Sequence, residues 1–193
     1  EAAYGGGGNF YYRLHIGQFP RPLAVSPMGG APGSEVQLHW LGDSGTAAQT
    51  VKVPENTHGV IQLAAMTEAG IAPTSLPFRA STLPGVLEVE PNNAIAEATP
   101  GTAAGAFDGV IGTEGDVDFF KFDGKAGQVL DVRIWARALG SPLDSILVVH
   151  NPDGSALGSD DDAAAVDSKV RVTLPADGTY LVSVRDHLSR GGD

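Results

Sequence analysis

The sequence contains no cysteine. That absence removes disulfides, a thiol nucleophile and any zinc site built on thiolates. Basic residues are scarce as well: 12 Lys and Arg stand against 23 Asp and Glu, leaving a net charge of −11. A surface of that sign repels phosphate backbones, so nucleic acid is excluded as a partner and a cation is the more natural one. No apolar run approaches the roughly 18 residues that a helical membrane span requires. Helical periodicity is missing throughout. What is present is 42% hydrophobic residues with only 18% charged, a balance that argues against disorder. The 26 glycines and 13 prolines suit a chain of strands and turns rather than helices. At 193 residues there is room for one large domain or two small ones.

The chain opens with Gly5 to Gly8, a flexible stretch, before Asn9 to Ile16, where Phe10, Tyr12, Leu14 and Ile16 alternate with Tyr11, Arg13 and His15. That alternation predicts a strand. Phe19-Pro20-Arg21-Pro22 follows as a stiffened linker. Residues 18–80 then carry strand signals at 35–40, where Val36, Leu38 and Trp40 share a face, and at 50–53, 59–64 and 77–79. Residues 81–87 link this part to the rest. Beyond them a short helix is possible at 94–98, ended by Pro100. Strands are expected at 119–122, 129–136, 145–150, 169–174 and 179–184, with turns at Asn151-Pro152-Asp153-Gly154 and Pro175-Ala176-Asp177-Gly178. In the strand at 129–136, Leu130, Val132, Ile134 and Ala136 point inward, and Asp131, Arg133 and Trp135 outward. The expected fold is all-β, and strands of this spacing indicate a sandwich or jelly roll.

Two acidic motifs stand out, Glu88-Val89-Glu90-Pro91-Asn92-Asn93 and Gly115-Asp116-Val117-Asp118. In an extended chain alternate side chains share a face, so Glu88 pairs with Glu90 and Asp116 with Asp118. Calcium takes six to eight hard oxygen ligands from carboxylates, amides, carbonyls and water. Glu88, Glu90, Asn92, Asn93, Asp116 and Asp118 form such a set if the fold gathers them. Every candidate atom is oxygen and neither motif contains histidine, which favours calcium over zinc. Solvated acidic turns are the plain alternative. A second acidic group, Asp160, Asp161 and Asp162 with Asp167 and Asp144, could hold another ion. Three consecutive carboxylates repel one another and need solvent or a cation, and a solvated loop is the simpler expectation.

The run from Glu88 to Asp186 resembles the bacterial pre-peptidase C-terminal domain, a module similar to the collagen-binding domains of bacterial collagenases. The resemblance rests on EVEPNN, GVIGTEGDVDFFKF, AGQVLDVRI, LDSILVVHNPDG, SDDD and LPADGTYLVSVRD. It implies a non-catalytic β-sandwich, often calcium-bound, appended to secreted enzymes or surface proteins. The family pattern often has Asp where Asn93 stands, so one charge is missing here. Residues 1–17 resemble the last strand of a domain of this type, the part that follows a VRD…GG loop. Residues 184–193 form such a loop, so residues 81–193 are expected to lack a final strand. Tandem copies in a longer parent chain are one explanation. Filling of the vacant edge by residues 1–17, in cis or by strand-swapped self-association, is the other. Residues 18–80, through Ser26-Pro27, Gly29-Gly30, Pro32-Gly33, Val36 and Leu38, look like an IPT/TIG-type immunoglobulin-like spacer, which implies two modules, an immunoglobulin-like sandwich followed by a jelly-roll sandwich.

Other motifs point nowhere. Gly42-Asp43-Ser44-Gly45 imitates a serine-protease nucleophile loop, but no histidine motif precedes it and some 60 residues cannot build a double barrel. His15, His39, His58, His150 and His187 lack metal spacing. Trp135 and Tyr11 are expected on outward faces, either as a platform for extracellular polysaccharide or collagen-like protein or packed against a neighbouring module. The sequence therefore predicts no enzyme. It predicts a calcium-stabilised accessory module of a secreted or cell-surface bacterial protein, partnered by its neighbouring domains.

Overall fold

The computed structural model describes residues 8–9, 11–163 and 165–191. The chain is all-β, with two short 3-10 turns, Ile95–Glu97 and Arg137–Leu139. Two hydrophobic cores form. The first is enclosed by a sheet of Ala24–Ser26, Glu35–Leu41 and Gln49–Lys52 and a second of Gly29–Gly30, Leu76–Ala80 and Gly59–Leu63. Alternation in Glu35–Leu41 turns Leu38 and Trp40 inward, where they meet Val25, Val53 and Phe78. Pro20 and Pro22 are buried rather than solvated, so the proline segment packs as part of this sandwich instead of acting as a free linker.

The second core lies beneath a five-stranded sheet ordered Thr99–Pro100, Val117–Gly124, Gly178–Asp186, Ser145–His150 and Ala156–Asp160. A two-stranded sheet, Val129–Arg133 with Lys169–Thr173, packs against it. Gly178–Asp186 is the central strand, antiparallel to both neighbours. Tyr180, Leu147, Val149 and Leu174 are fully buried. The Tyr180 hydroxyl donates to the Ala176 carbonyl at 2.7 Å, so the buried ring keeps its polar end satisfied.

The strand predicted at 129–136 ends at Arg133, and Trp135 leaves the ladder to lie between two guanidinium groups. Arg79 sits 3.7 Å from its ring centroid and Arg133 4.1 Å. Arg79 belongs to the first sandwich, so Trp135 fills the joint between the two cores and is no open platform. The strand predicted over residues 9–16 makes no ladder between residues 11 and 16. Those backbone groups pair with no strand among the described residues, and the side chains stay exposed. Phe10, within that prediction, lies outside the described residues, as do residues 1–7 ahead of it.

Candidate metal centre

The strand Gly85–Leu87 runs parallel to Ala106–Asp108, with Leu87 opposite Asp108. This pairing delivers the next residue, Glu88, to the point where Val117–Gly124 begins. Glu88 N–H donates to the Asp108 carbonyl at 2.9 Å. The chain then docks on the strand start: Phe119 N–H donates to the Asn92 carbonyl at 3.0 Å, and Val117 N–H to Asn93 Oδ1 at 3.2 Å. Glu90 Oε2 accepts from Asn92 N–H at 2.8 Å. The two acidic motifs, more than 20 residues apart in sequence, are thereby laced together by backbone hydrogen bonds.

Carboxylate oxygens of Glu88, Glu90 and Asp118 lie within 4.8 Å of one another. Asp116 and Asp118 are buried, and Asn92 is completely so. One oxygen of each, Asn92 Oδ1, Asp116 Oδ1 and Asp118 Oδ1, is buried without a hydrogen-bond donor. Leaving a buried acceptor unsatisfied costs about 1–3 kcal/mol, more for a charged group. Gly109 explains how the acids come so close. A β-carbon there would stand 2.5 Å from Glu88 Oε2 and 2.8 Å from Asp118 Oδ2, space that only glycine leaves free.

Burial, followed by the charges of Glu88 and Asp116, pushes the Asp118 carboxyl up to about 8. Burial also raises Glu88. Asp108 is pushed up to about 6, again by burial first and by the charge of Glu88, against the lowering effect of a 3.0 Å hydrogen bond from Met28 N–H. Like charges crowded in a dry site favour protonation unless a cation joins them. The donor set is entirely hard oxygen, with acceptors to spare, and these residues fit a calcium ion. Of the six expected ligands, the structure brings the carboxylates of Glu88, Glu90 and Asp118 together, and Asn92 and Asp116 each carry a buried oxygen without a donor. The sixth, Asn93, has its Oδ1 taken by Val117 N–H and serves as a staple between the motifs.

The second acidic group is organised differently. Arg137 Nη2 lies 2.9 Å from Asp144 and Nη1 2.9 Å from Asp162. Asp161 pairs with His187 Nδ1 at 2.9 Å. Asp160 Oδ2 accepts from Lys169 N–H, and Asp167, fully buried, accepts from the N–H groups of Arg137 and Ala138 at 2.7 and 3.1 Å. The expected solvated loop is in fact a cluster held by the chain's own cations and amides, and no orphaned oxygen remains in these five residues among the described ones. Arg137 carries no signal in the sequence, because it lies 25 residues from Asp162 and joins it only through the fold. Nor do Asp108 and Gly109, whose Asp-Gly pair reads as an ordinary turn.

Gly42 to Gly45 is a turn closed by Asp43, which accepts from Gly45 N–H at 3.1 Å and from Thr46 Oγ1 at 3.0 Å. His150 bridges Ser183 Oγ and the Gly154 carbonyl within the sheet. Among the described residues no helix is long and apolar enough to cross a membrane.

Residues 116–186 match the family described as the bacterial pre-peptidase C-terminal domain. The match begins at Asp116, so Glu88 to Asn93 lie ahead of it. The chain is also similar to a probable subtilase-type serine protease of Deinococcus radiodurans, 37% identical over 128 residues. That similarity takes in 62% of this chain and 18% of the relative, so the chain spans less than a fifth of that protein's length.

Proposed function

We propose that Glu88, Glu90, Asn92, Asp116 and Asp118 hold a calcium ion. The chain is then a non-catalytic, calcium-stabilised accessory module of a larger secreted or surface-exposed bacterial protein, serving its localisation, folding or docking. The observation that carries this reading is the set of buried oxygens without donors beside three converging carboxylates. The family match over residues 116–186 and the similarity to part of a protease support attachment to an exported hydrolase. The absence of cysteine agrees with a fold stapled by an ion instead of disulfides.

Bound calcium would supply the positive charge that the cluster lacks. The chain's own residues do the rest. Asn93 and the Asn92 carbonyl hold the Glu88–Asn93 segment on the strand start, Gly109 admits the carboxylates, and Asp108 ties the same corner to Met28 of the first sandwich. Calcium at this corner would fix the angle between modules. Residues 18–80 act as an immunoglobulin-like spacer with its own core. Polymer binding, the other reading from sequence, has less support, because Trp135 is enclosed between Arg79 and Arg133.

Thermal unfolding with calcium and with chelator tests the proposal. Ligand at a hundredfold excess over its dissociation constant stabilises by about 2.7 kcal/mol. For a chain of this size that raises the midpoint by roughly 5–10 °C. Superimposable melting curves would remove calcium from the account.

A further inference from the structure

The two sheets of the second sandwich are unequal, five strands against two. Val129–Arg133 pairs only with Lys169–Thr173, and its other side is open. Ladder parity shows which groups face outward. Ile134 N–H bonds the Ser168 carbonyl, so Val132 and Leu130 are also hydrogen-bonded to their partners. The N–H and C=O groups of Val129, Asp131 and Arg133 therefore point away from the ladder, and no side-chain hydrogen bond among the described residues takes them. On the partner strand the outward N–H of Lys169 is already capped by Asp160. The outer strand Thr99–Pro100 of the larger sheet carries a proline, which has no N–H to offer. Val129–Arg133 is thus an open edge of the second sandwich among the described residues, lined on its inner face by half-buried Leu130, Val132 and Ile134.

The chain also holds a segment with the opposite need. Tyr11, Tyr12, Leu14 and Ile16 are 89%, 89%, 70% and 86% exposed, and residues 11–16 pair with no strand. Contiguous apolar side chains of that exposure, in a sequence alternating like a strand, call for a covering surface. We propose that residues 11–16 of a second copy of this chain add antiparallel to the Val129–Arg133 edge. With Arg13 opposite Asp131, Tyr12 faces Val132, Leu14 faces Leu130 and Tyr11 faces Arg133. Apolar residues then share the core side, while Arg13 with Asp131 and Tyr11 with Arg133 share the outer one. The occupant is a second copy because the chain's own segment lies unpaired in the folded monomer. Reciprocal exchange of the segment closes a two-fold dimer without leaving an open end.

This pairing does not depend on calcium, so the test is run in chelator. Light scattering across a concentration series should show a monomer–dimer equilibrium for the intact chain. Leu14→Asp places a charge on the apolar side of an exposed segment that supports neither core. Asp131→Pro removes an outward N–H while sparing the existing ladder. Each should raise the dimer dissociation constant at least tenfold, with the cooperative melt of the monomer retained. A chain that stays monomeric at every concentration would overturn the proposal, as would a dimer untouched by both changes. A monomer whose residues 11–16 are protected from amide exchange would overturn it too, since the edge would then be filled within one chain.

Discussion

Two acidic groups sit at the same end of the five-stranded sheet, on either side of its central strand. Glu88, Glu90, Asp116 and Asp118 gather where Val117–Gly124 begins, opposite Arg185. Asp144, Asp160, Asp161, Asp162 and Asp167 gather around the start of Ser145–His150, opposite Asp186. In the second group Arg137, His187 and backbone amides engage every acid. In the first, no arginine or lysine approaches among the described residues, and buried oxygens lack donors. The difference teaches that acidic density does not by itself mark a metal site. What separates the two groups is whether the chain supplies an internal cation to the acids.

The strongest way to break that contrast is Asp118→Asn. The change should abolish the calcium-dependent rise in melting temperature, a loss of about 2.7 kcal/mol at hundredfold excess. In chelator the variant should melt no lower than the parent, because one of the crowded charges is gone. Melting scans in calcium and in chelator read both outcomes. Asp167→Ala acts on the other group. It strips two hydrogen bonds from a fully buried carboxylate and should destabilise by about 2 kcal/mol, with the calcium response intact. Denaturant titration measures it. Arg137→Gln leaves Asp144 and Asp162 facing each other without their shared partner. Both carboxylates are part-exposed, so a loss of about 1 kcal/mol is expected, shrinking as added salt screens the repulsion.

The smallest expected effect concerns Asp186, on the strand between the two groups. Burial raises its carboxyl, but Arg190 through side chain and backbone, with the N–H groups of Asp144 and Leu188, outweighs burial and holds it down at about 2. A depressed carboxylate contributes stability above its unfolded value near 3.8 and loses it as pH falls toward 2. Acid unfolding between those two values should therefore be less steep in Asp186→Asn, while the two proteins keep parallel curves above pH about 5.

Local signals carried much of the fold. Ser145–His150 is bounded as its apolar run indicates, and the Asn151–Gly154 turn connects it to the next strand. The possible helix at 94–98 is a 3-10 turn at Ile95–Glu97. Ala156–Asp160 escaped notice, since alanine, glycine, serine and aspartate have little strand preference and only the neighbouring Ser145–His150 holds them extended. The parallel pair of Gly85–Leu87 with Ala106–Asp108 has no sequence signature at all, yet it brings Asp108 and Gly109 to the acidic corner. The convergence of Glu88, Glu90 and Asp118 was legible as two alternating pairs. Arg137 was not, because a partner 25 residues away is chosen by topology. Alternation over residues 9–16 announced a strand, but a strand also needs a partner, and residues 11–16 meet none among the described residues of the single chain.

The chain has two tryptophans, and the fold assigns them separate surroundings. Trp40 lies in the first core with its indole N–H unpartnered, whereas Trp135 is clasped between guanidinium groups from both sandwiches. Replacing Trp40 by phenylalanine would leave one tryptophan, stationed between the two sandwiches and excited apart from the tyrosines. Its emission would then act as a built-in optical gauge of how firmly the two halves are held together, with no dye attached.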